Sequence, residues 1–138
     1  RQRQMCIRDR TSGYYSPEVL EQAAKDRVFP ATTLIGVDHD TAAQQLDRPE
    51  GSLAKIAGHL IEDAYYSAGA LYARARINSR WRYLVDDMAE AIGVSINASA
   101  DLEETVDGPV VTRLIPSPLN RCDLVTVPGR GGGIASRL

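Results

Sequence analysis

Cysteine is nearly absent from this chain: Cys6 and Cys122 are the two it has in 138 residues. Two thiols, one of them in an atypical opening segment, make neither a disulfide framework nor a metal knuckle. A reducing compartment is the simpler expectation. Long apolar runs are missing too, and the longest fall far short of the roughly 20 residues a membrane-spanning helix needs. Histidine is scarce, so imidazole chemistry has two candidates, His39 and His59. No internal repeat is visible. Neither sign of charge dominates, with a formal net charge of −2. A hydrophobic content of 43% and a charged content of 25% suit one globular domain with a real core.

The opening "RQRQMCIRDR" stands apart, with four arginines and one aspartate in ten residues. Without it the formal charge falls by three, from −2 to −5. An acidic remainder argues against a general polyanion binder, so a DNA-binding reading would rest mainly on these arginines. The segment has no apolar core or cleavage site of a secretion signal. It resembles the conceptual translation of a sequencing-adapter read. Residues 1–10 are therefore expected to be non-native, and 11–138 a single domain that is incomplete at one or both ends.

The remaining pattern is mostly strands. "YYSPEVLEQAAKDR" predicts a helix, with Ser16 as N-cap, Pro17 and Glu18 in the first turn, and a stripe at Val19, Leu20, Ala23 and Ala24. "ATTLIGVDHD" is β-rich, and "TAAQQLDRPEGS" reads as a loop broken by Pro49 and Gly51. "LAKIAGHLIEDAYY" is expected to hold a strand that pairs through a turn at Ser67-Ala68-Gly69 with "ALYARARI", which alternates cleanly. "NSRWRYLVDDMAEAIG" predicts a second helix, capped by Asn78 or Ser79. Its stripe is Trp81, Leu84, Val85, Met88 and Ile92, and Gly93 is expected in the left-handed C-terminal position. "VSINASA", "PVVTRLIP" and "RCDLVTV" predict three more strands, with an acidic turn at Asp101 to Gly108. The fold class expected is α+β: a small, mostly antiparallel β-barrel or strongly bent sheet flanked by helices.

Few residues suggest chemistry. Strand alternation in "IGVSINAS" sets Ser95 and Asn97 opposite Val94 and Ile96. Ser95 is then either a serine on the polar face of a strand or a nucleophile. A nucleophile needs a base, for which His39 is available, and the base needs an orienting acid, for which Asp123 is available. Residue types alone leave both readings open. "VPGRGGG" fails the dinucleotide register, because Ile134 stands where a glycine is required. It is either a frayed tail or a glycine loop whose N–H groups face an oxyanion. Asp38, His39 and Asp40 with His59 invite a metal, but neighbours on a strand point to opposite faces, so no metal or cofactor is expected. His59 fits a structural histidine. Tyr72, Arg74 and Arg76 form a solvated strand face or a partner surface.

Taken in order, "SGYYSPEVL", "VDHD", "DRPEGSLAKIAGHL", "GALYARARI", "IGVSINAS" and "CDLVTVPGRGG" resemble the tailed-phage capsid maturation proteases, or prohead serine proteases. The resemblance covers nearly all of residues 12 to 133, and it is the ordered set that is specific. "HD" replaces a more usual His-Pro, "RCDLVTVPG" departs from a more usual Ser-Val-Asp-Phe-Val-Thr, and "AGHL" has His where Arg is commoner.

The resemblance implies a fold like that of the herpesvirus assemblins, a closed β-barrel ringed by helices. It also implies a catalytic site of His39 as general base, Ser95 as nucleophile and Asp123 as third member, in the place where assemblins have a second histidine. Gly129, Arg130 and Gly131 look like the oxyanion loop. An early barrel strand normally precedes "SGYYSPEVL", so an open barrel edge is expected here. The activity implied is a serine endopeptidase that cuts scaffold and major capsid proteins inside the procapsid, in the infected bacterial cytoplasm. Neither nucleic acid nor membrane is expected as a partner, and a homodimer is left open. The alternative is a catalytically silent structural or assembly protein of the phage head on the same barrel.

Overall fold

The computed structural model describes residues 2–8, 15–127 and 132–137, the first and last of these as strands. In chain order the elements are β1 (Gln2–Arg8), α1 (Pro17–Lys25), β2 (Leu34–Val37), α2 (Ala42–Asp47), β3 (Ile56–Leu60), β4 (Tyr65–Ser67) and β5 (Ala70–Ile77). Then come α3 (Ser79–Met88), β6 (Gly93–Asn97), β7 (Ser99–Thr105), β8 (Gly108–Ile115), β9 (Arg121–Val125) and β10 (Gly132–Arg137). A single 3₁₀ turn at Leu53–Lys55 leads into β3. Among the described residues no helix is long and apolar enough to cross a membrane.

The chain is α+β, with a curled, half-barrel mixed sheet and few helices. Eight strands run in the order β1-β10-β6-β9-β2-β3-β5-β4, and β1 pairs with β5 as well. All neighbours are antiparallel except β2 and β9, which run parallel. The expectation of an open edge is corrected here, since residues 2–8 form β1 with β10 on one side and β5 on the other.

Alternation explains the strongest strands. In β5, Leu71, Ala73, Ala75 and Ile77 are buried, while Arg74 and Arg76 are exposed. In β6, Val94 and Ile96 face the core and Ser95 and Asn97 the other side. Helix α1 is capped by the Ser16 hydroxyl, which accepts from Val19 N–H, and it buries Val19, Leu20 and Ala23. Gln22 fixes α1 to β8. Its side-chain amide donates to the Leu114 carbonyl at 3.0 Å and accepts from the Leu114 N–H at 3.2 Å. Arg113 pairs with Asp26 beside it.

Several local expectations are corrected. Residues 42–47 form α2, not loop, because Thr41 and Gln44 make a reciprocal capping box that satisfies N–H groups of the first turn. Helix α3 stops at Met88, and Val85 is its one fully buried side chain; Leu84 and Met88 are exposed. Gly93 is not a left-handed cap but the first residue of β6, opposite Val125. Residues 101–108 are mostly strand: β7 and β8 form a separate two-stranded arm, and only Val106 and Asp107 turn.

Close packing of β3 on β5 depends on Gly58, where an added Cβ would stand 2.0 Å from the Arg76 carbonyl oxygen. Backbone, unlike a side-chain tip, cannot swing away. Gly58→Ala should therefore cost about 1–3 kcal/mol. The check is urea denaturation, which should show a lower midpoint at unchanged slope.

Candidate functional site

Three neighbouring strands carry the site. Ser95 on β6 lies directly opposite Asp123 on β9, and Asp123 lies beside Gly36 on β2. Residues in register project to the same face of a sheet, so Ser95 and Asp123 share a face. His39 arrives from the turn after β2. Asp38 there has a φ of 61°, in the left-handed region that aspartate tolerates better than most residues. Its N–H is pinned to the Leu124 carbonyl at 2.8 Å. The strand thus ends abruptly and the chain folds back over β9.

The structure brings the three residues singled out in the sequence into one hydrogen-bonded chain. His39 Nδ1 lies 2.6 Å from Asp123 Oδ2, and His39 Nε2 lies 3.0 Å from Ser95 Oγ. Both distances are within hydrogen-bond range. A carboxylate can only accept, so Nδ1–H donates to Asp123. In the neutral imidazole, Nε2 then carries the lone pair that accepts the Ser95 hydroxyl proton. Asp123 is completely buried, whereas the His39 side chain is 42% exposed, so the histidine is reachable from solvent on the serine side.

The surroundings hold residues that the sequence reading did not single out for this site. Arg121, two residues before Asp123 on the same strand face, has a side chain only 9% exposed. Its Nε stands 3.6 Å from Asp123 Oδ1, an ion pair longer than a hydrogen bond, and one of its terminal nitrogens donates to Asp40 Oδ2 at 3.3 Å. Lys55 Nζ donates to the other Asp40 oxygen at 2.7 Å. Two glycines make room. A Cβ on Gly36 would lie 2.3 Å from Asp123 Oδ1, and one on Gly51, whose φ is +82°, would lie 2.3 Å from an Arg121 nitrogen. The sequence signal for Arg121 was an arginine inside an apolar strand; Asp40 stood out only as a candidate metal ligand, and Lys55 gave no signal.

The other candidates fall elsewhere. His59 sits on β3, half-buried, with Nδ1 3.1 Å from the Leu60 carbonyl oxygen. Asp40 faces Lys55 and Arg121, not His39. Among the described residues no group of three or more His, Cys, Asp or Glu is placed to hold a metal ion. Gly129, Arg130 and Gly131 lie outside the described residues; β10 begins just after them, with Gly132 opposite Val94. Tyr72 on β5 stacks on Tyr65, and Arg74 is held by Glu62 at 3.1 Å, so two of the three residues on that strand face are used within the fold. Next to the site a cleft of about 370 Å³ is lined by Asp40, Leu46, Pro49, Asn97, Leu119 and Arg121, among others.

Electrostatics favour a protonatable base. The hydrogen bond to Asp123 raises the His39 pKa above its ordinary 6.5; partial burial opposes this, the Asp123 charge adds to it, Arg121 lowers it and Asp38 raises it. Lys55 holds the Asp40 carboxyl below the usual range, against a desolvation penalty and with further help from Arg121. Burial pushes the Cys122 thiol up to about 12, so this cysteine is neither nucleophile nor ligand at neutral pH.

Folded His39 binds its proton more tightly than the unfolded chain does. Its contribution to stability is therefore complete below pH 6.5 and is lost as pH rises through the raised folded value. With two histidines in the chain, NMR titration can follow His39 directly. Its midpoint should lie above 6.5 and fall in Asp123→Asn, which keeps the shape but removes the charge. An unchanged midpoint in that variant would contradict the pairing.

Compared with protein-family models, with curated proteins and with solved structures, the chain matches none. The functional reading therefore rests on the geometry of Ser95, His39 and Asp123 and on the ordered motifs of the sequence.

Proposed function

We propose that this chain is a serine endopeptidase of the kind that matures tailed-phage heads. The observation that carries the hydrolase reading is the continuous hydrogen-bond chain from Ser95 Oγ through His39 to Asp123. The phage-head assignment rests on the resemblance of the ordered motifs, which names scaffold and major capsid proteins as substrates.

A serine hydroxyl is a weak nucleophile until a positioned base takes its proton. Neutral His39 accepts the Ser95 proton as Oγ bonds to the scissile carbonyl carbon. Asp123 keeps the proton on Nδ1 and stabilises the imidazolium that forms. The tetrahedral intermediate collapses, the C–N bond breaks, and His39 gives its proton to the departing amine. Water then attacks the acyl-enzyme with His39 again as base, and releases the acid and Ser95. On the resemblance, Gly129, Arg130 and Gly131 supply the oxyanion donors, each such donor being worth roughly 3–4 kcal/mol of barrier. The peptide is assigned an extended path along the active-site sheet, with a side chain directed to the cleft between Leu46 and Leu119.

The catalytic form of His39 is the neutral one, so the rate should rise with pH through its raised pKa, with the acid limb above 6.5. The decisive test is reaction with a fluorophosphonate followed by peptide mapping. Ser95 should carry the adduct, and Ser95→Ala should fold normally, take no label and leave a co-expressed phage scaffold protein uncut. A wild-type chain that is folded yet unlabelled would favour the silent structural protein. A scaffold still cut by Ser95→Ala would reject this serine.

A further inference from the structure

Asp123 is fully buried, and among the described residues only one of its two oxygens has a hydrogen-bond partner. Oδ2 meets His39, while Oδ1 has no hydrogen bond and faces the Arg121 guanidinium at 3.6 Å. A carboxylate in that position needs a second compensating group, or it rotates to find one. Gly36 makes room for Oδ1 on the β2 side, where an added Cβ would stand 2.3 Å from it. Among the described residues the guanidinium is the cation within 4.0 Å of Oδ1, and it is itself buried and held from behind by Asp40. Asp40 in turn is held by Lys55 from the 3₁₀ turn before β3.

We propose that Arg121 is a positioning residue for the Ser95–His39–Asp123 site: tethered by Asp40, its guanidinium fixes the Asp123 carboxylate in the rotation that presents Oδ2 to His39. This rests on reading that site as a hydrolase. The arrangement is an alternating line of charge, Lys55–Asp40–Arg121–Asp123–His39, that crosses from the turn before β3, past the turn after β2, to β9. The tether matters because it holds the guanidinium beside Oδ1 and so leaves Oδ2 to His39. Charge acts along with geometry. Among the described residues, the groups facing His39 are Asp123 and Arg121 from β9 and Asp38 from its own turn, and of these Arg121 is the cation. It lowers the affinity of the imidazole for its proton and so keeps more of the base neutral near pH 7.

Arg121→Met removes the charge and keeps much of the volume. It should lower the NMR titration midpoint of His39, because a rotated Asp123 forfeits the hydrogen bond that chiefly raises it and this outweighs the lost effect of the Arg121 charge. It should also lower the pH-independent plateau of fluorophosphonate labelling roughly ten- to hundredfold, as expected of a misplaced catalytic group. Arg121→Lys should restore the midpoint but only part of the plateau, because an ammonium cannot reach both carboxylates with a rigid fork. A folded Arg121→Met variant with wild-type midpoint and plateau, altered only in melting temperature, would overturn the proposal. Should Arg121→Met fail to fold, Asp40→Ala answers the same question, since it keeps the cation and removes the oxygens that hold it: a reduced plateau supports the role and an unchanged one overturns it. Should wild-type protein take no label, the hydrolase reading fails, and the His39 midpoints in wild type and in the folded Arg121 or Asp40 variants alone decide whether Arg121 governs this pair.

Discussion

A carboxylate with no exposure to water, that of Asp123, is the constraint around which this fold is arranged. Burying such a charge costs several kcal/mol unless partners replace its hydration. Here two partners and one gap meet the carboxylate. His39 approaches from the turn after β2, Arg121 from the same strand, and Gly36 withdraws its side chain altogether on the neighbouring strand. The same carboxylate that is expensive to bury gives His39 its orientation and its raised pKa. Stability and chemistry thus draw on one interaction.

Sheet topology turns that interaction into a site. Strand β9 has β6 on one side, antiparallel, and β2 on the other, parallel. The antiparallel register sets Ser95 opposite Asp123. The parallel register brings the end of β2, and so His39, to the end of β9, where Asp38 ties back to Leu124. A slip of one residue in either ladder would turn Ser95 or Asp123 to the core face. The apolar neighbours Val94, Ile96, Cys122 and Leu124, all buried, oppose such a slip.

Where the sequence misled, a longer-range or reciprocal contact was responsible. Residues 41–47 looked like loop because Pro49 and Gly51 break the segment, yet a capping box needs only Thr41 and Gln44 to start a short exposed helix before them. Gly93 suggested a helix stop, but pairing with Val125 places it in β6 and α3 ends a turn earlier. The acids from 101 to 107 suggested a turn; cross-strand pairing of β7 with β8 makes them the exposed face of a hairpin instead. In each case local composition was read correctly and outweighed by backbone hydrogen bonding.

Periodicity by itself determined β5 and β6 and the face on which Ser95 stands, because alternation in a half-buried strand is a local property of side chains. The sequence also limited the base to two histidines. It did not determine which acid lies buried, nor that Arg121, Asp40 and Lys55 stand in line behind it. Those residues come from β9, the turn after β2 and the turn before β3, and nothing in their spacing links them. Only the tertiary structure decided that, because the penalty for burying Asp123 is set by what surrounds it in space and not by its neighbours along the chain.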